Sequence, residues 1–407
     1  MKKIILTTVF CFTTAGFLVA QIKLPYIAPS ATPHDYSQYI KRTCPDGQPK
    51  EKISIPNGLE VQSGDLSTWD FSDYTVDELA DILTFDSLTK FPPKDKLPKG
   101  FNPKKILKNG KNPGLGLYTL HRKGIDGCGV SIALLDQPIQ TNHEEYKHAL
   151  VWYKLAPGME NYEGGKATMH GAALASIAVG KRVGVAPKAN LFFYAAGYSR
   201  DATPFATALN EIYEMNKQLP PEQRVRAVGI SQGFDESDYF KDTPGISQFL
   251  AAKKKLEESG VPVFMAGGRG DVKTLNRTHS LSNPDKLPYC RPAYWWGKNP
   301  NFYKKRLYQL TVPTDFRVTA SPTGENHYVH YAQGGYSWAV PYVVGMYALA
   351  AQVYPNLTRE IFTEAWRETA LNPTCEFQGV EFEAYNLLQP AKLIENLQQR
   401  KKREEAQ

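Results

Sequence analysis

Repeats and long low-complexity segments are missing from this 407-residue sequence. That excludes solenoid and fibrous architectures and leaves room for one large domain with an accessory segment. A strong excess of charge is missing too. The formal net charge is +7, and the basic residues gather between Lys94 and Lys111 and near the C-terminus. They neither line one helix face nor interleave with aromatics, so no nucleic-acid partner is expected. Cysteine is scarce, with five residues in the chain. Cys11 lies in an apolar N-terminal stretch. The other four, Cys44, Cys128, Cys290 and Cys375, allow three disulfide pairings, and unpaired buried thiols fit nearly as well.

What is present begins with the first twenty residues. Lys2 and Lys3 precede an apolar stretch, Ile4 to Ala20, that ends in small residues. Such a segment reads as a cleavable export signal over residues 1–20. An uncleaved anchor is the weaker alternative, because the stretch is marginal for a membrane span. Cleavage would leave a secreted or periplasmic protein that begins near Gln21 and makes no contact with a membrane.

Residues 21 to about 90 are polar and weakly periodic. One helix start stands out: Thr75 followed by Glu78 is a capping box opening "TVDELADILTF". The stretch Lys90 to Gly114 is rich in Pro, Gly and Lys and reads as an extended, exposed linker open to proteolysis. From Leu117 the texture changes. Apolar runs of strand length appear at Gly129 to Asp136, Ala189 to Ala196, Arg224 to Gly233 and Val261 to Gly268. They alternate with helical stretches at His170 to Gly180, Pro204 to Gln218 and "SQFLAAKKKLEESG", closed by Gly260. Strands buried on both faces and separated by helices indicate a mostly parallel sheet in a three-layer α/β/α structure. Ligands bind such sheets beyond the carboxyl ends of the strands, where Asp136 falls.

The stretch "AQGGYSWAVPYVVG", Ala332 to Gly345, raises the question of chemistry. Two glycines before Ser337 allow close approach of backbone to a ligand, and the run Trp338 to Tyr354 reads as a buried helix. Pro341 fits that helix only in its first turn, where a missing N–H has no partner to lose. Ser337 therefore stands at a helix N-terminus, where free N–H groups favour negative charge. Taken alone, the fragment reads as a capping serine. Its "GYSWA" is one residue short of the G-x-S-x-G elbow of α/β-hydrolases, whose acid and histidine follow the serine. No His and no Asp follow Ser337, so that reading fails. "HEEYKH", His143 to His148, resembles a zinc-protease helix, but its histidines are five apart. They would diverge by about 140° around a helix. They read as surface histidines, and no metal site is expected.

The remaining order is Asp136, His170, Ser337. These three segments resemble the triad blocks of the subtilisin-like serine peptidases, the subtilases. The aspartate block reads Asp136-Gln137-Pro138-Ile139, and the histidine block His170-Gly171-Ala172-Ala173-Leu174-Ala175, with a "GVAP" turn at Gly184 to Pro187. The serine block reads Gly335-Tyr336-Ser337-Trp338-Ala339-Val340-Pro341. The resemblance covers roughly Leu117 to Ala370. It implies that Ser337 is the nucleophile, His170 the general base and acid, and Asp136 the group that orients the imidazole. It also implies that Ser231, Gln232 and Gly233 pair with an extended polypeptide substrate, and that "FMAGG", with Gly267 and Gly268, walls the specificity pocket.

Departures accompany the resemblance. The family's wall segment ends in an asparagine that donates to the oxyanion, and here Gly268 has no side chain to give. Arg269 or Asn276 are the nearby substitutes. Gln137-Pro138, Ala173, Tyr336 and Trp338 are also atypical, which suggests an outlying branch with a reshaped pocket. The expected organisation is a signal peptide over 1–20, an N-terminal pro-segment and Lys/Pro-rich linker over 21–115, a catalytic domain over 116–375, and a C-terminal helical tail over 376–407. The expected protein is an exported, monomeric serine endopeptidase that needs no cofactor; structural calcium sites are not readable from the sequence. The rival, from a different class, is a catalytically weak or dead subtilase used for binding or regulation.

Overall fold

The structure, a computed structural model, describes residues 22–36, 59–197, 201–234, 241–266, 272–275, 309–377 and 380–407. The chain begins with β1 (Tyr26–Ile27), β2 (Leu59–Glu60), α1 (Val76–Ile82), β3 (Leu83–Asp86), α2 (Pro103–Gly110) and α3 (Leu117–Arg122). Next come β4 (Ser131–Asp136), β5 (Leu150–Leu155), α4 (Met169–Val179), β6 (Asn190–Ala195), α5 (Thr203–Gln218), β7 (Val225–Ile230), α6 (Ile246–Glu258) and β8 (Val263–Met265). The remainder holds β9 (Val272–Leu275), β10 (Leu310–Pro313), β11 (Arg317–Ala320), β12 (Tyr328–Tyr331), α7 (Tyr336–Val353), α8 (Arg359–Thr369), β13 (Thr374–Phe377), β14 (Val380–Glu383) and α9 (Pro390–Glu405).

Six strands form the central sheet in the order β1-β5-β6-β4-β7-β8, with every pairing parallel. Side chains alternate across it with the strand period of two. On β4, Ile132 and Leu134 face one helical layer while Ala133 and Leu135 face the other. On β6, Leu191 and Phe193 oppose Phe192 and Tyr194 in the same way. The first layer is α4, α7, α8 and α9; the second is α5 and α6. This is the three-layer α/β/α architecture that the alternating apolar runs predict. The C-terminal helix α9 joins it through Leu393, Ile394 and Leu397.

A second sheet, in the order β11-β12-β3-β2, draws the N-terminal region into the same body. All four residues of β3 are buried, and Val329 and His330 on β12 pair with Asp86 and Phe85. Phe316 packs into the core formed by Val61, Leu79, Phe85 and Ile106. The boundary expected near residue 115 is therefore bridged by shared sheet and core. The extended, exposed linker expected over Lys90 to Gly114 is also corrected. Asn102 caps α2 by accepting from the Lys105 N–H, Pro103 occupies its first turn, and Ile106 is buried. Those are helix-start signals that the Pro- and Lys-rich composition obscured. At Thr75 the capping box forms, with Glu78 answering the cap residue's own N–H. The helix it opens stops at Ile82, because Leu83 to Asp86 gain more by pairing inside the second sheet.

The histidines of "HEEYKH" separate as expected, but His143 is not a surface residue. It is fully buried: Nε2 donates to the His327 carbonyl at 3.0 Å and Nδ1 accepts the Glu145 N–H at 3.1 Å. Burial pushes its pKa down, and the two hydrogen bonds fix the neutral ring. His148 is exposed. Cys128 is exposed and unpaired. The export signal, Cys44 and Cys290 lie outside the described residues. Among the described residues no helix is long and apolar enough to cross a membrane.

Candidate active site

Three elements meet at the carboxyl edge of the central sheet. Asp136 is the last residue of β4 and is buried. His170 is the second residue of α4, whose first turn is fixed by Thr168: its side chain accepts the Gly171 N–H at 3.1 Å. The Thr168 N–H donates to the Pro138 carbonyl at 3.0 Å, tying the start of α4 to the loop after Asp136. Gly171 makes that approach feasible, since a Cβ there would lie 2.2 Å from the Gln137 carbonyl oxygen. The N-terminal segment adds a brace, with the Ala167 N–H on the Thr32 carbonyl at 2.8 Å and the Ala31 N–H on the Ile139 carbonyl at 3.2 Å.

The result is a 2.6 Å contact between His170 Nδ1 and Asp136 Oδ1. The side chains are 16% and 6% exposed. A carboxylate can only accept, so Nδ1 is the donor of this bond, and in the neutral ring Nε2 is then the acceptor. On the other side the Trp338 ring meets the imidazole edge-on, with centroids 5.4 Å apart. Tyr331 in turn stands edge-on to Trp338 at 5.2 Å. The imidazole is therefore held between a carboxylate and an indole.

Ser337 is the second residue of α7, so its N–H has no intrahelical acceptor. The turn before it is tight for a reason within the fold: a Cβ at Gly334 would sit 2.4 Å from the Thr314 carbonyl oxygen. Pro341 is the sixth residue of α7 and not in its first turn, which corrects the expectation for that position. In a regular helix residue 341 would donate its N–H to the Ser337 carbonyl. Proline has none to give, and the Ser231 hydroxyl donates there instead, at 2.9 Å. In return the Ser337 hydroxyl donates to the Ser231 carbonyl at 3.3 Å. Ser337 Oγ is thus engaged at the end of β7.

The subtilase family model matches residues 127–312 of the chain. The matched part of the chain, somewhat under half of its length, is similar to the subtilases. Several solved structures are similar to this chain. One is the prenylagaramide maturation protease PagA, 17% identical over 69% of this chain and 98% of its own, with a TM-score of 0.47. Another is a protease from Pseudoalteromonas arctica, 16% identical over 70% and 95%, TM-score 0.49. A third is the PatG macrocyclase in complex with peptide, 14% identical over 69% and 95%, TM-score 0.47.

Of the predicted site residues, the structure brings Asp136 and His170 into contact and seats Ser337 against Ser231. Gly233 lies two residues beyond Ser231, past the end of β7. Gly267 and Gly268, with Arg269 and Asn276, lie outside the described residues. Among the described residues, no group of three or more His, Cys, Asp or Glu side chains could hold a metal ion. The sequence reading missed the hydroxyl of Ser231 as the partner of the Ser337 carbonyl. Its signal was Pro341 itself: a proline four residues after the serine leaves a carbonyl that some other donor must serve.

Proposed function

We propose that this chain is a subtilase, an exported serine endopeptidase that cleaves polypeptides through an acyl-enzyme. The observation that carries the reading is the His170–Asp136 hydrogen bond at the carboxyl edge of the sheet, beside the first turn of the helix bearing Ser337. Asp136 holds the imidazole in the tautomer whose Nε2 accepts a proton. This mechanism requires the Ser337 hydroxyl to leave the Ser231 carbonyl and donate to that nitrogen instead. Oγ then attacks the scissile carbonyl as His170 takes its proton, and His170 returns the proton to the leaving amine. The Ser337 N–H, at a helix N-terminus, faces the developing oxyanion. The substrate lies extended against Ser231 to Gly233.

A second reading, a catalytically weak or dead subtilase that binds polypeptides, is favoured by one observation: the Ser337 hydroxyl is engaged with Ser231. Digestion of an unfolded protein such as casein separates the two. The first reading predicts fragments from the wild type and none from Ser337→Ala. Capture of casein without cleavage by both proteins supports the second. Export is checked by N-terminal sequencing of the secreted or periplasmic protein, with a start near Gln21 expected and a retained Met1 on a cytoplasmic product contradicting it.

A further inference from the structure

The hairpin beside α7 buries a cation that meets no carboxylate among the described residues. Arg317 on β11 is 2% exposed. Its Nη2 donates to the Pro113 carbonyl at 3.2 Å, and its guanidinium carbon lies 5.0 Å from the centroid of the Tyr342 ring. Nε and Nη1 reach no acceptor among the described residues. Burial penalises its charged form; among the described residues Tyr342, through its hydroxyl, works against that penalty, and no carboxylate does. The nearest carboxylate in sequence, Asp315, directs Oδ1 to the Gly334 N–H at 2.7 Å and the Thr314 hydroxyl at 3.4 Å.

The neighbours of this cation form one interlocked layer. Arg317 pairs with Tyr331 across β11 and β12, so the two side chains share a face of the sheet. Trp338 and Tyr342 are four residues apart on α7 and share a face of that helix. Tyr331 meets Trp338, and Arg317 covers Tyr342. Trp338 Nε1 also lacks an acceptor among the described residues. Two donor atoms and the positive charge of Arg317 therefore lie between the hairpin and the helix. Buried donors in folded proteins almost always find acceptors, and buried charges are paired. The cation–π contact offsets some of the charge. A water molecule could serve the N–H groups but would leave the charge uncompensated.

We propose that a small inorganic anion of halide size binds at the Arg317 guanidinium, between β11 and α7, as a constituent of the folded protein. Thermal unfolding of the full chain in sodium chloride and in sodium gluconate at equal ionic strength tests this, since gluconate is too bulky to enter. The wild type should melt several degrees higher in chloride, because the anion binds the folded state alone. Arg317→Met, which keeps a long apolar stem and removes the charge, should melt at the same temperature in both salts. Equal melting of the wild type in both, or an undiminished chloride gain in Arg317→Met, overturns the proposal. Crystals of the wild type grown in sodium bromide answer without any variant having to fold. An anomalous peak beside the guanidinium supports the site, and density without anomalous signal there refutes it.

Discussion

The Ser231 hydroxyl stands 2.9 Å from the Ser337 carbonyl, in the place where residue 341 of a regular helix would donate. Pro341 cannot, so a side chain 106 positions away completes the first turns of α7 and fixes the backbone of the serine. Removing that hydroxyl by Ser231→Ala leaves the carbonyl without a donor and should cost about 1–3 kcal/mol of stability. Pro341→Ala returns an N–H to the helix, so in that background the cost of Ser231→Ala should fall below about 1 kcal/mol. Chemical denaturation of the four proteins in this cycle measures the coupling. Additive effects would show that the two residues act independently.

Asp136→Asn tests the partnership with His170. An amide can donate to Nδ1, which favours the tautomer whose proton sits on Nε2, where none is wanted. Peptidase activity should fall by about 10⁴-fold while the fold persists, by analogy with the triad template. Parallel kinetics and thermal melts check this. A loss of less than about tenfold in a well-folded variant would remove Asp136 from the proposed mechanism.

A buried carboxylate makes the fold acid-sensitive. Burial alone would raise the pKa of Glu145. Hydrogen bonds from the Tyr328 hydroxyl, from the Arg182 backbone and guanidinium, and from the Val183 N–H outweigh this and hold it below its usual 4.5. A carboxyl whose folded pKa is depressed contributes fully above its unfolded pKa, and the contribution is lost as pH falls through the folded pKa. Stability should therefore drop below about pH 4.5, and Glu145→Gln should flatten that acid limb while lowering stability at neutral pH. Melting temperatures from about pH 3 to 7 test it; identical slopes for both proteins would assign the acid limb to other groups.

The second sheet predicts the fate of the N-terminal region after proteolysis. A cut in the stretch between β3 and α2 leaves β3 paired with β12 and its four buried residues in place. The N-terminal fragment should co-elute with the rest of the chain on size exclusion and separate only in denaturant. Comparison with Ser337→Ala shows whether any such cut is made by the protein's own serine. Dissociation of the fragment in native buffer would mean that the sheet does not survive cleavage.

Local patterns carried much of the fold. Continuous apolar runs at β4, β6, β7 and β8 and the helices between them are written in adjacent residues, and so is the Thr75–Glu78 capping box. Asp136, His170 and Ser337 were legible because each stands in its own short block at the start or end of an element. What escaped depends on partners far along the chain. β3 reads as the tail of a helix until β12, about 245 residues later, supplies its pairing. The burial of His143 rests on a carbonyl at residue 327. The half-exposed β5, "LVWYKL", has neither a continuous apolar run nor strict alternation to mark it. Ser231 was singled out for its backbone, and only the fold shows what its hydroxyl does.

The central claim, that Ser337 is an activated nucleophile, is tested most directly by reaction with a fluorophosphonate. Such reagents modify a serine hydroxyl whose proton a neighbouring base can take and leave ordinary serines untouched. Intact mass and peptide mapping of the labelled wild type should show one adduct, located on Ser337, with none on Ser337→Ala and a strongly slowed reaction in Asp136→Asn. A folded wild type that takes no adduct, or an adduct that persists in Ser337→Ala, would contradict the account.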